Sequence, residues 1–447
     1  MSKFSFIHAA DLHLGSSLKI SNREFLAEDK EIFASANYDA FARLVDSALE
    51  KKVDFLLLAG DIYDSDERSI KANRVFKEEC QRLDEAGIEV YLIAGNHDPI
   101  ENKKELFKLP DNVVEFSAKQ AEDYEILDGN NQSLARIFGQ SYQNKFESEK
   151  LHKHYQPQYT NNFNIALLHT ELNPDEKKYV PATKVELEEN PGIDYWALGH
   201  IHQCKIIKES NPVIAYSGSL QGRDFGEREL KGALLVEVDN AYQPSYSFIP
   251  TSKAIFKNIE INLNQLEDEP ENITELQKVI IDKAEELSEQ LPEPPEDLAT
   301  YDDYFKKYFS GYIVRWVIKG RVEIHDTIAQ QPQEVANELR NLLNRREFFS
   351  NEVWTAEIKF RTRAQLPDLE ELKEEREVAA EIAEVFSAVR DDSELKSILQ
   401  DELGDIWGAS LDHEDFDSRK FQLTEEAYQD ILEETKNLIT ARITDEE

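Results

Sequence analysis

Five short polar clusters, placed at or near the ends of apolar segments, constrain the fold of this 447-residue chain most strongly. They are Asp11-Leu12-His13, Gly60-Asp61, Gly95-Asn96-His97-Asp98, His169 and Gly199-His200-Ile201-His202. Four of them directly follow a segment with the composition of a buried strand. Because strand ends at one edge of a sheet converge on a single crevice, we expect the clusters to meet at one site.

The first 250 residues alternate predicted strands with predicted helices. Apolar runs rich in β-branched and aromatic residues predict strands over 3–9, 54–59, 89–94, 134–139, 164–168, 195–198 and 232–238. Helical spacing of apolar residues predicts helices over 37–52 and 69–86, with Gly87 as a stop for the second. This β-α-β-α-β order indicates an α/β fold, with a sheet covered by helices.

The chain after residue 250 has a different organisation. Residues 267–298 predict a charged helix followed by an exposed linker at LPEPPED. Strands over 311–319 and 353–359, around a helix near 332–344, predict a small α+β domain. Beyond Pro367 the sequence is acidic and helical, with amphipathic stretches over 368–389 and 424–440. We therefore predict three regions, 1–253, 254–365 and 366–447.

The residue types in the clusters suit a site for two metal ions. In an extended backbone, residues two apart point the same way, so Asp11 with His13 and His200 with His202 each offer paired ligands. Carboxylate, amide and imidazole groups suit manganese, zinc or iron, and the lack of thiolates argues against a purely structural zinc. One aspartate with both oxygens engaged can join two ions about 3.5–4 Å apart, which together clamp a phosphoryl group. We predict two divalent ions at this site, and the ligand types leave manganese, zinc and iron open.

Each cluster taken alone also has an ordinary interpretation. A single histidine after a strand is more often a satisfied polar residue than a ligand, and Gly-Asp or Gly-Asn-His-Asp is compatible with a simple turn. The five clusters nevertheless contain five of the ten histidines of the chain. Their joint occurrence favours the functional interpretation.

The net charge argues against tight DNA binding by this chain alone. There are 90 acidic and 51 basic residues, a formal charge of −39. Phosphate binding normally leaves a basic footprint, so we expect weak affinity for duplex DNA. Three explanations stay open: acidic helices remote from a DNA groove, adaptation to salt, or a partner that supplies the basic surface.

Cysteine content and the N-terminal sequence bear on location. Cys80 and Cys204 are the only cysteines, too few for a disulfide framework. The sequence opens directly into a predicted strand without a secretory segment, and the apolar run FLLLAG is too short to span a bilayer. We expect a cytoplasmic protein without membrane association.

The five motifs in this order resemble the calcineurin-like metallophosphoesterase superfamily. The surrounding segments AADLHLGSSL, LLLAGDIYDSDERSIKA, IAGNHDP, DYWALGHIHQ and YSGSLQGRDFGE are similar to SbcD-type DNA repair exonucleases, most of all to the bacterial YhaO branch. The resemblance covers residues 1–250 well and the remainder only in layout. It implies a two-sheet metallophosphoesterase sandwich flanked by helices over 1–253, a small α+β capping domain that contacts DNA over 254–365, and acidic C-terminal helices.

The resemblance also implies roles for individual residues. One ion would be held by Asp11, His13 and His202, the other by Asn96, His169 and His200, with Asp61 bridging them. His97 would donate a proton to the leaving oxygen or steady the phosphate, and Asp98 would orient His97. The chain departs from eukaryotic and archaeal relatives in having Tyr63-Asp64 where they place a second histidine, which leaves the polarity of digestion open.

Three residues are weaker candidates for contacts with substrate phosphates. Ser219 belongs to a Ser-Gly-Ser segment after a strand that would present backbone N–H groups. Arg68 and Arg223 fall in loops expected to rim the crevice. For each of the three, an ordinary surface role is equally compatible with the sequence.

The leading functional hypothesis is a manganese-dependent DNA exonuclease and endonuclease subunit in DNA break processing. The resemblance implies a homodimer and an SMC-like ATPase partner, on which the helices over 368–389 and 424–440 would dock. The same helices are also typical of ones that pack on their own domain. A metallophosphoesterase for a nucleotide or cyclic nucleotide is the alternative that the acidity favours. A non-catalytic scaffold is disfavoured because no ligand of the pattern is missing.

Overall fold

The structure, a computed structural model, describes most of the chain. The described residues are 3–20, 25–64, 69–102, 106–128, 131–157, 162–173, 177–296, 298, 303–345, 351–365, 377–390, 392–395, 397–398 and 425–445. The predicted phosphate contact Arg68, residues 368–376 and Thr424 lie outside them.

Six strands form the first mixed sheet. They are β1 (Phe4–Ala9), β2 (Phe55–Ala59), β3 (Glu89–Ile93), β4 (Val113–Glu115), β11 (Gly232–Val238) and β12 (Pro244–Pro250). Their order is β12-β11-β1-β2-β3-β4, with β1 to β4 parallel and β11 antiparallel to both β1 and β12. The central strand β2, FLLLA, is buried at every position, as expected for a parallel strand covered on both faces.

A second six-stranded sheet faces the first. Its strands are β5 (Glu122–Leu127), β6 (Ser133–Gly139), β7 (Phe163–His169), β8 (Tyr195–Gly199), β9 (Lys205–Lys208) and β10 (Val213–Tyr216). The order is β5-β6-β7-β8-β10-β9, parallel from β6 to β10 and antiparallel at both edges. Aromatic rings join the sheets: Phe6 lies 5.4 Å from Tyr195, and Phe4 lies 5.7 Å from Phe163, both edge to face.

Two long helices cover the outer face of the first sheet. Helix α1 spans Ala27–Lys51 and α2 spans Ile70–Glu85, the latter capped by the Ser69 side chain, which accepts the Ala72 N–H. Phe41 of α1 and Phe76 of α2 stack at 5.6 Å above the apolar side chains of β2. Helix α1 begins ten residues before the prediction, because its first turns pack in a separate cluster through Phe33.

Further helices, strands and turns complete the described chain. They are helices α3 (Lys184–Glu188), α4 (Ile273–Ser288), α5 (Asp303–Tyr308), α6 (His325–Gln330), α7 (Pro332–Leu343), α8 (Glu377–Val389) and α9 (Glu425–Asp445), strands β13 (Ala254–Asn262), β14 (Gly311–Arg321) and β15 (Glu352–Arg363), and 3-10 turns at Ile100–Asn102, Leu151–His154 and Leu263–Gln265. The three strands form one sheet in the order β13-β14-β15. Among the described residues, every helix is too short or too polar to cross a lipid bilayer.

The chain divides into two compact units. The first comprises Met1–Ile261, Thr274–Val317 and Gln333–Lys359, and the second Asn262–Ile273, Ile318–Pro332 and Phe360–Glu447. Within the first, the Trp354 indole N–H donates to Asp29 Oδ1 at 2.8 Å and its ring packs on Phe33 at 5.0 Å. Within the second, the Tyr428 hydroxyl of α9 donates to the Val389 carbonyl at the end of α8. The predicted domain boundaries after residues 253 and 365 stay predictions.

The predicted α/β fold, a two-sheet sandwich flanked by helices, is confirmed. Every predicted strand of the first 250 residues is present within one or two residues of its predicted ends. The strands that the sequence did not predict are short or lie at sheet edges, such as β4 and β5. Strand β5, EDYEIL, lies at the exposed edge of its sheet and has four polar or charged positions. It therefore lacks the apolar run by which a buried strand is predicted from sequence.

His8 links the two sheets by hydrogen bonds. Its Nε2 lies 3.1 Å from the Leu198 carbonyl, and its Nδ1 lies 3.1 Å from the Tyr195 hydroxyl. Because a carbonyl only accepts, Nε2 carries the proton and Nδ1 accepts from tyrosine. Burial disfavours the charged imidazolium and lowers the pKa of His8 to about 3. The hydrogen bond to the Leu198 carbonyl acts in the opposite direction but is the smaller effect.

We predict that His8 contributes to loss of stability in acid. Below pH 6.5 the unfolded chain binds a proton at His8 that the folded chain does not bind until about pH 3. The free energy of unfolding should therefore fall by about 1.4 kcal/mol per pH unit within that window from this group alone. His8→Gln should flatten this slope in urea unfolding between pH 6.5 and 4, whereas His154→Gln, at an exposed site, should not. An unchanged slope in His8→Gln would contradict the assignment.

Candidate metal centre

The five polar clusters meet at one end of the two sheets. Three follow β1, β2 and β3 of the first sheet, and two lie at the ends of β7 and β8 of the second. Backbone hydrogen bonds connect the loops: the Asp11 N–H donates to Gly60 O, and the His13 N–H donates to Asp61 O, both at 3.0 Å. The His200 N–H donates to the Asp11 carboxylate at 3.0 Å, which joins the loops of the two sheets.

Four of the predicted ligands occupy strained backbone conformations. The φ angles of Asp11, His13, Asp61 and His200 are 52°, 45°, 54° and 93°. Non-glycine residues rarely adopt positive φ, and each such residue costs about 1–3 kcal/mol. The concentration of this strain in three adjacent loops marks a functional site, where surrounding contacts enforce a geometry that the local sequence does not prefer.

Two glycines permit the close approach of these loops. A Cβ atom on Gly95 would lie 2.2 Å from Asp61 Oδ1, and a Cβ atom on Gly199 would lie 2.0 Å from the Ala59 carbonyl oxygen. Both contacts are far too short for any side chain. These positions therefore require glycine for steric reasons, which explains why Gly precedes Asn96 and His200.

The first group of ligand atoms comes from Asp11, His13 and His202. His13 Nε2 lies 3.2 Å from His202 Nε2, and His202 Nε2 lies 3.8 Å from Asp11 Oδ1. Asp61 Oδ2 is 4.0 Å from His13 Nε2. These ligand atoms of Asp11, His13 and His202 are close enough together to bind a single ion.

The second group adjoins the first through Asp61. His169 Nε2 lies 3.4 Å from Asp61 Oδ2 and 3.0 Å from Asn96 Oδ1. His200 Nδ1 also lies 3.0 Å from Asn96 Oδ1. Asp61 Oδ2 thus faces both groups, while Asp61 Oδ1 accepts the His97 N–H at 2.9 Å. One oxygen of Asp61, in place of the two expected, is directed to both candidate ion positions.

Hydrogen bonds hold two of the imidazoles in the tautomer that binds metal. His169 Nδ1 donates to the Ala59 carbonyl at 2.9 Å, and His202 Nδ1 donates to Glu227 Oε1 at 2.8 Å. In each ring the lone pair is then on Nε2, the nitrogen that faces the other ligands. A hydrogen bond of this kind also orients the ring and raises its basicity as a ligand.

The ionisation of the cluster fits the binding of cations. Burial opposes charge on Asp61, but His169, His13 and His97 outweigh it and hold the pKa of this carboxyl well below its usual range. Burial lowers the pKa of His200 to about 3, which keeps the ring neutral. Although burial disfavours the charged ring, Asp61 raises the pKa of His169 to about 9. A positive charge beside Asp61, whether a proton or a metal ion, compensates the buried carboxylate.

His97, the predicted proton donor, lies at the edge of this cluster. Its ring contacts His13 edge to face at 4.9 Å, and 34% of its side chain is exposed. His97 Nδ1 lies 3.5 Å from Asp64 Oδ1, and this carboxylate, followed by Asp61, raises the pKa of His97 against the effect of burial. An acidic side chain, Asp64, thus lies beside His97.

Asp98 makes a different set of contacts from those predicted. Its Oδ2 accepts the Ile62 and Tyr63 N–H groups at 2.8 and 3.2 Å, and its Oδ1 accepts the Gly95 N–H at 2.8 Å. Burial, with Asp61 nearby, raises the pKa of Asp98 to about 6. Asp98 joins the loop after β2 to the loop after β3, and its predicted effect on His97 stays a prediction.

The candidate phosphate contacts differ in their surroundings. Arg223 lies beside the cluster, with Nη1 3.5 Å from Asp64 Oδ2 and Nη2 3.5 Å from Glu227 Oε1. The Ser219 N–H donates to the His202 carbonyl at 3.1 Å, so this backbone group is already used within the protein. A phosphate contact by Ser219 or Arg223 stays a prediction, as does one by Arg68, outside the described residues.

Sequence reasoning did not identify Glu227 and Lys231, which support His202. Glu227 accepts from the ring, and the buried Lys231 ammonium donates to the His202 carbonyl at 2.6 Å. Nothing in the local sequence distinguishes Glu227 from the other acidic residues of the chain. Lys231 could have been noticed in the sequence, because it is a charged residue directly before the apolar run GALLV. Its partner, the His202 carbonyl, is identified only by the structure.

Comparisons with known proteins agree with this geometry. The family described as calcineurin-like phosphoesterase matches residues 4–204. The uncharacterized metallophosphoesterase YhaO of Bacillus subtilis is 34% identical over 293 residues, which cover 64% of this chain and 69% of that protein. DNA double-strand break repair protein Mre11 of Methanocaldococcus jannaschii is 29% identical over 221 residues, 48% of this chain and 56% of the relative. Mre11 of Sulfurisphaera tokodaii is 29% identical over 299 residues, which cover 62% of this chain and 70% of that relative.

We predict that Glu227 supports metal binding through His202. Glu227→Gln removes the charge that orients the His202 ring, so manganese affinity should fall by roughly 10–100-fold. Isothermal titration with Mn²⁺ measures this. Glu237→Gln, an exposed position on β11, is the matched control and should bind like the wild type. Equal affinity in the two variants would show that Glu227 does not act on the ion site.

Proposed function

The chain belongs to the calcineurin-like phosphoesterase family, and from this premise we propose that it is a manganese-dependent nuclease that hydrolyses phosphodiester bonds in DNA. The observation that carries the proposal is the pair of ligand groups that share Asp61 Oδ2. Members of this family bind two divalent metal ions, and the clusters described above are able to hold them. Asp11, His13 and His202 would hold one ion and Asn96, His169 and His200 the other.

Residues beside the candidate ion sites would donate the proton to the leaving oxygen and orient the proton donor. When bound, two divalent ions supply Lewis acidity that stabilises charge on phosphoryl oxygens and activates water near neutral pH. His97 is partly exposed beside them, so a leaving oxygen can reach it. Because its Nδ1 faces Asp64, Nε2 is the nitrogen that would hold and donate the proton. Asp64 orients the ring and stabilises its protonated form.

DNA is the proposed substrate for two reasons. The relatives in two archaea carry the name of a DNA break repair protein, and the match to Sulfurisphaera tokodaii extends over 62% of this chain. The chain also continues through β13, β14 and β15 and the acidic helices, beyond the region that matches the phosphoesterase family. A second region that contacts the DNA, a homodimer and an SMC-like ATPase partner belong to this proposal, as does a cytoplasmic location.

One observation favours a second candidate, a phosphoesterase for nucleotides or cyclic nucleotides. The net charge of −39 repels a polyanion and affects a small substrate less. In the DNA proposal a basic partner surface compensates this charge. The two candidates therefore differ in how strongly cleavage depends on substrate length, salt and a partner.

We predict manganese-dependent release of nucleotides from a labelled linear duplex at low salt, with hydrolysis of bis-p-nitrophenyl phosphate as a generic diester in parallel. His97→Ala should reduce DNA cleavage by roughly 10²–10⁴-fold, the contribution of a positioned proton donor. Manganese binding should be retained, since His97 is not among the ligands. His154→Ala, which removes an exposed histidine elsewhere, is the matched control and should cleave normally.

The outcomes separate the candidates. DNA degradation that requires manganese and disappears in His97→Ala supports the nuclease and the proton donor together. Hydrolysis of the generic diester with DNA left intact at low salt would contradict nuclease activity of the chain alone and would favour the small-molecule candidate. Full activity in His97→Ala would show that the proton comes from another group.

A further inference from the structure

We propose that Phe146 and Tyr179 form an aromatic platform on which a nucleobase of the substrate stacks beside the metal centre. The inference rests on the proposed function and specifies which part of a nucleotide this site recognises. Tyr179 packs against the candidate ligand His200, with ring centroids 5.1 Å apart. Phe146 packs against Tyr179 at 5.8 Å. Two successive ring contacts thus lead from the metal centre to the protein surface.

The outer ring of the platform is open to solvent. Phe146 has 56% of its surface exposed, and a single exposed apolar side chain would need no explanation by itself. This one differs because it continues a series of rings that starts at a candidate ligand. Every nucleobase has a π face, and stacking on an aromatic side chain binds bases with little sequence preference. The two ring contacts, 5.1 and 5.8 Å between centroids, place the Phe146 ring at most about 11 Å from the His200 ring, and a nucleotide with its phosphate at the metal centre would have to extend over that span.

Backbone bonds hold the platform in place. The Glu147 N–H donates to Lys178 O, and the Val180 N–H donates to Glu147 O, both at 2.7 Å, so the segments carrying the two rings are paired. Val180 is buried in the core of the second sheet at a φ of 49°, which a β-branched residue rarely adopts. The Thr170 hydroxyl, next to His169, donates to Val180 O at 2.6 Å. The platform is therefore attached to the metal centre at both His169 and His200.

Exposed lysines lie close to the two rings of the platform. They are Lys145, next to Phe146 in the chain, and Lys177 and Lys178, which precede Tyr179. The Lys178 ammonium lies 5.8 Å from the centroid of the Phe146 ring. Nucleic-acid sites that read no particular sequence combine basic groups for the backbone with aromatic rings for the bases.

The test compares ligands that differ only in the base. In the presence of Mn²⁺, the wild type should bind deoxyadenosine monophosphate roughly tenfold more tightly than 2-deoxyribose 5-phosphate, as measured by isothermal titration. Phe146→Ala should lose most of this preference and bind the sugar phosphate as the wild type does. Phe146→Trp should retain the preference. Leu127→Ala, which truncates another exposed apolar side chain, is the matched control and should behave like the wild type.

Three results would overturn the platform: no preference for the base in the wild type, an unchanged preference in Phe146→Ala, or an equal loss of both ligands. Binding is measured without turnover, so it is independent of the nuclease assay. If DNA is not cleaved but the preference depends on Phe146, the DNA proposal fails and the platform stands. If DNA is cleaved and the preference does not depend on Phe146, only the platform fails.

Discussion

The buried carboxylate of Asp61 is the group on which the rest of the site depends. One oxygen lies near both His13 and His169, and the other accepts the His97 N–H. A buried anion is unfavourable unless positive charge or hydrogen-bond donors surround it. The five loops supply both, and they place candidate ligands from two different sheets within a few ångströms. The electrostatic demand of this one side chain explains why the end of the two sheets is suited to hold cations.

Strain in the loops is balanced by contacts that are not ligands. Asp11, His13 and Asp61 have left-handed backbone conformations, which the fold maintains by hydrogen bonds between loops. Asp98 accepts two N–H groups of the loop after β2 and one N–H group of its own loop after β3, and so joins the two loops. Hydrogen bonds within the protein thus hold the polar loops in these conformations. Preorganised groups of this kind stabilise developing charge without having to rearrange during the reaction.

Basic groups near the site explain how a strongly acidic chain could bind a phosphate there. Arg223 pairs with Asp64 and Glu227 at the edge of the cluster, and lysines accompany the aromatic rings of residues 146 and 179. Basic side chains beside the site can attract a phosphate even on an acidic protein, because screening limits the reach of distant carboxylates to about 10 Å. A long polyanion meets the whole surface, so a basic partner has more effect on DNA than on a nucleotide.

The sequence by itself determined which strands are buried and that Asp, Asn and His follow their ends. It also determined that these residues converge on one crevice. This follows from local rules, since apolar runs predict strands and parallel strands end at a common edge. Only the tertiary structure decided that Asp64 accompanies His97, that Asp98 joins two loops, and that Glu227 orients His202. Those pairings join residues 25 to 36 positions apart in the sequence. The partners of Asp98 in the loop after β2 are backbone N–H groups, which any residue except proline could provide. No local pattern specifies such contacts, because they arise from loop conformations that the packed sheets impose.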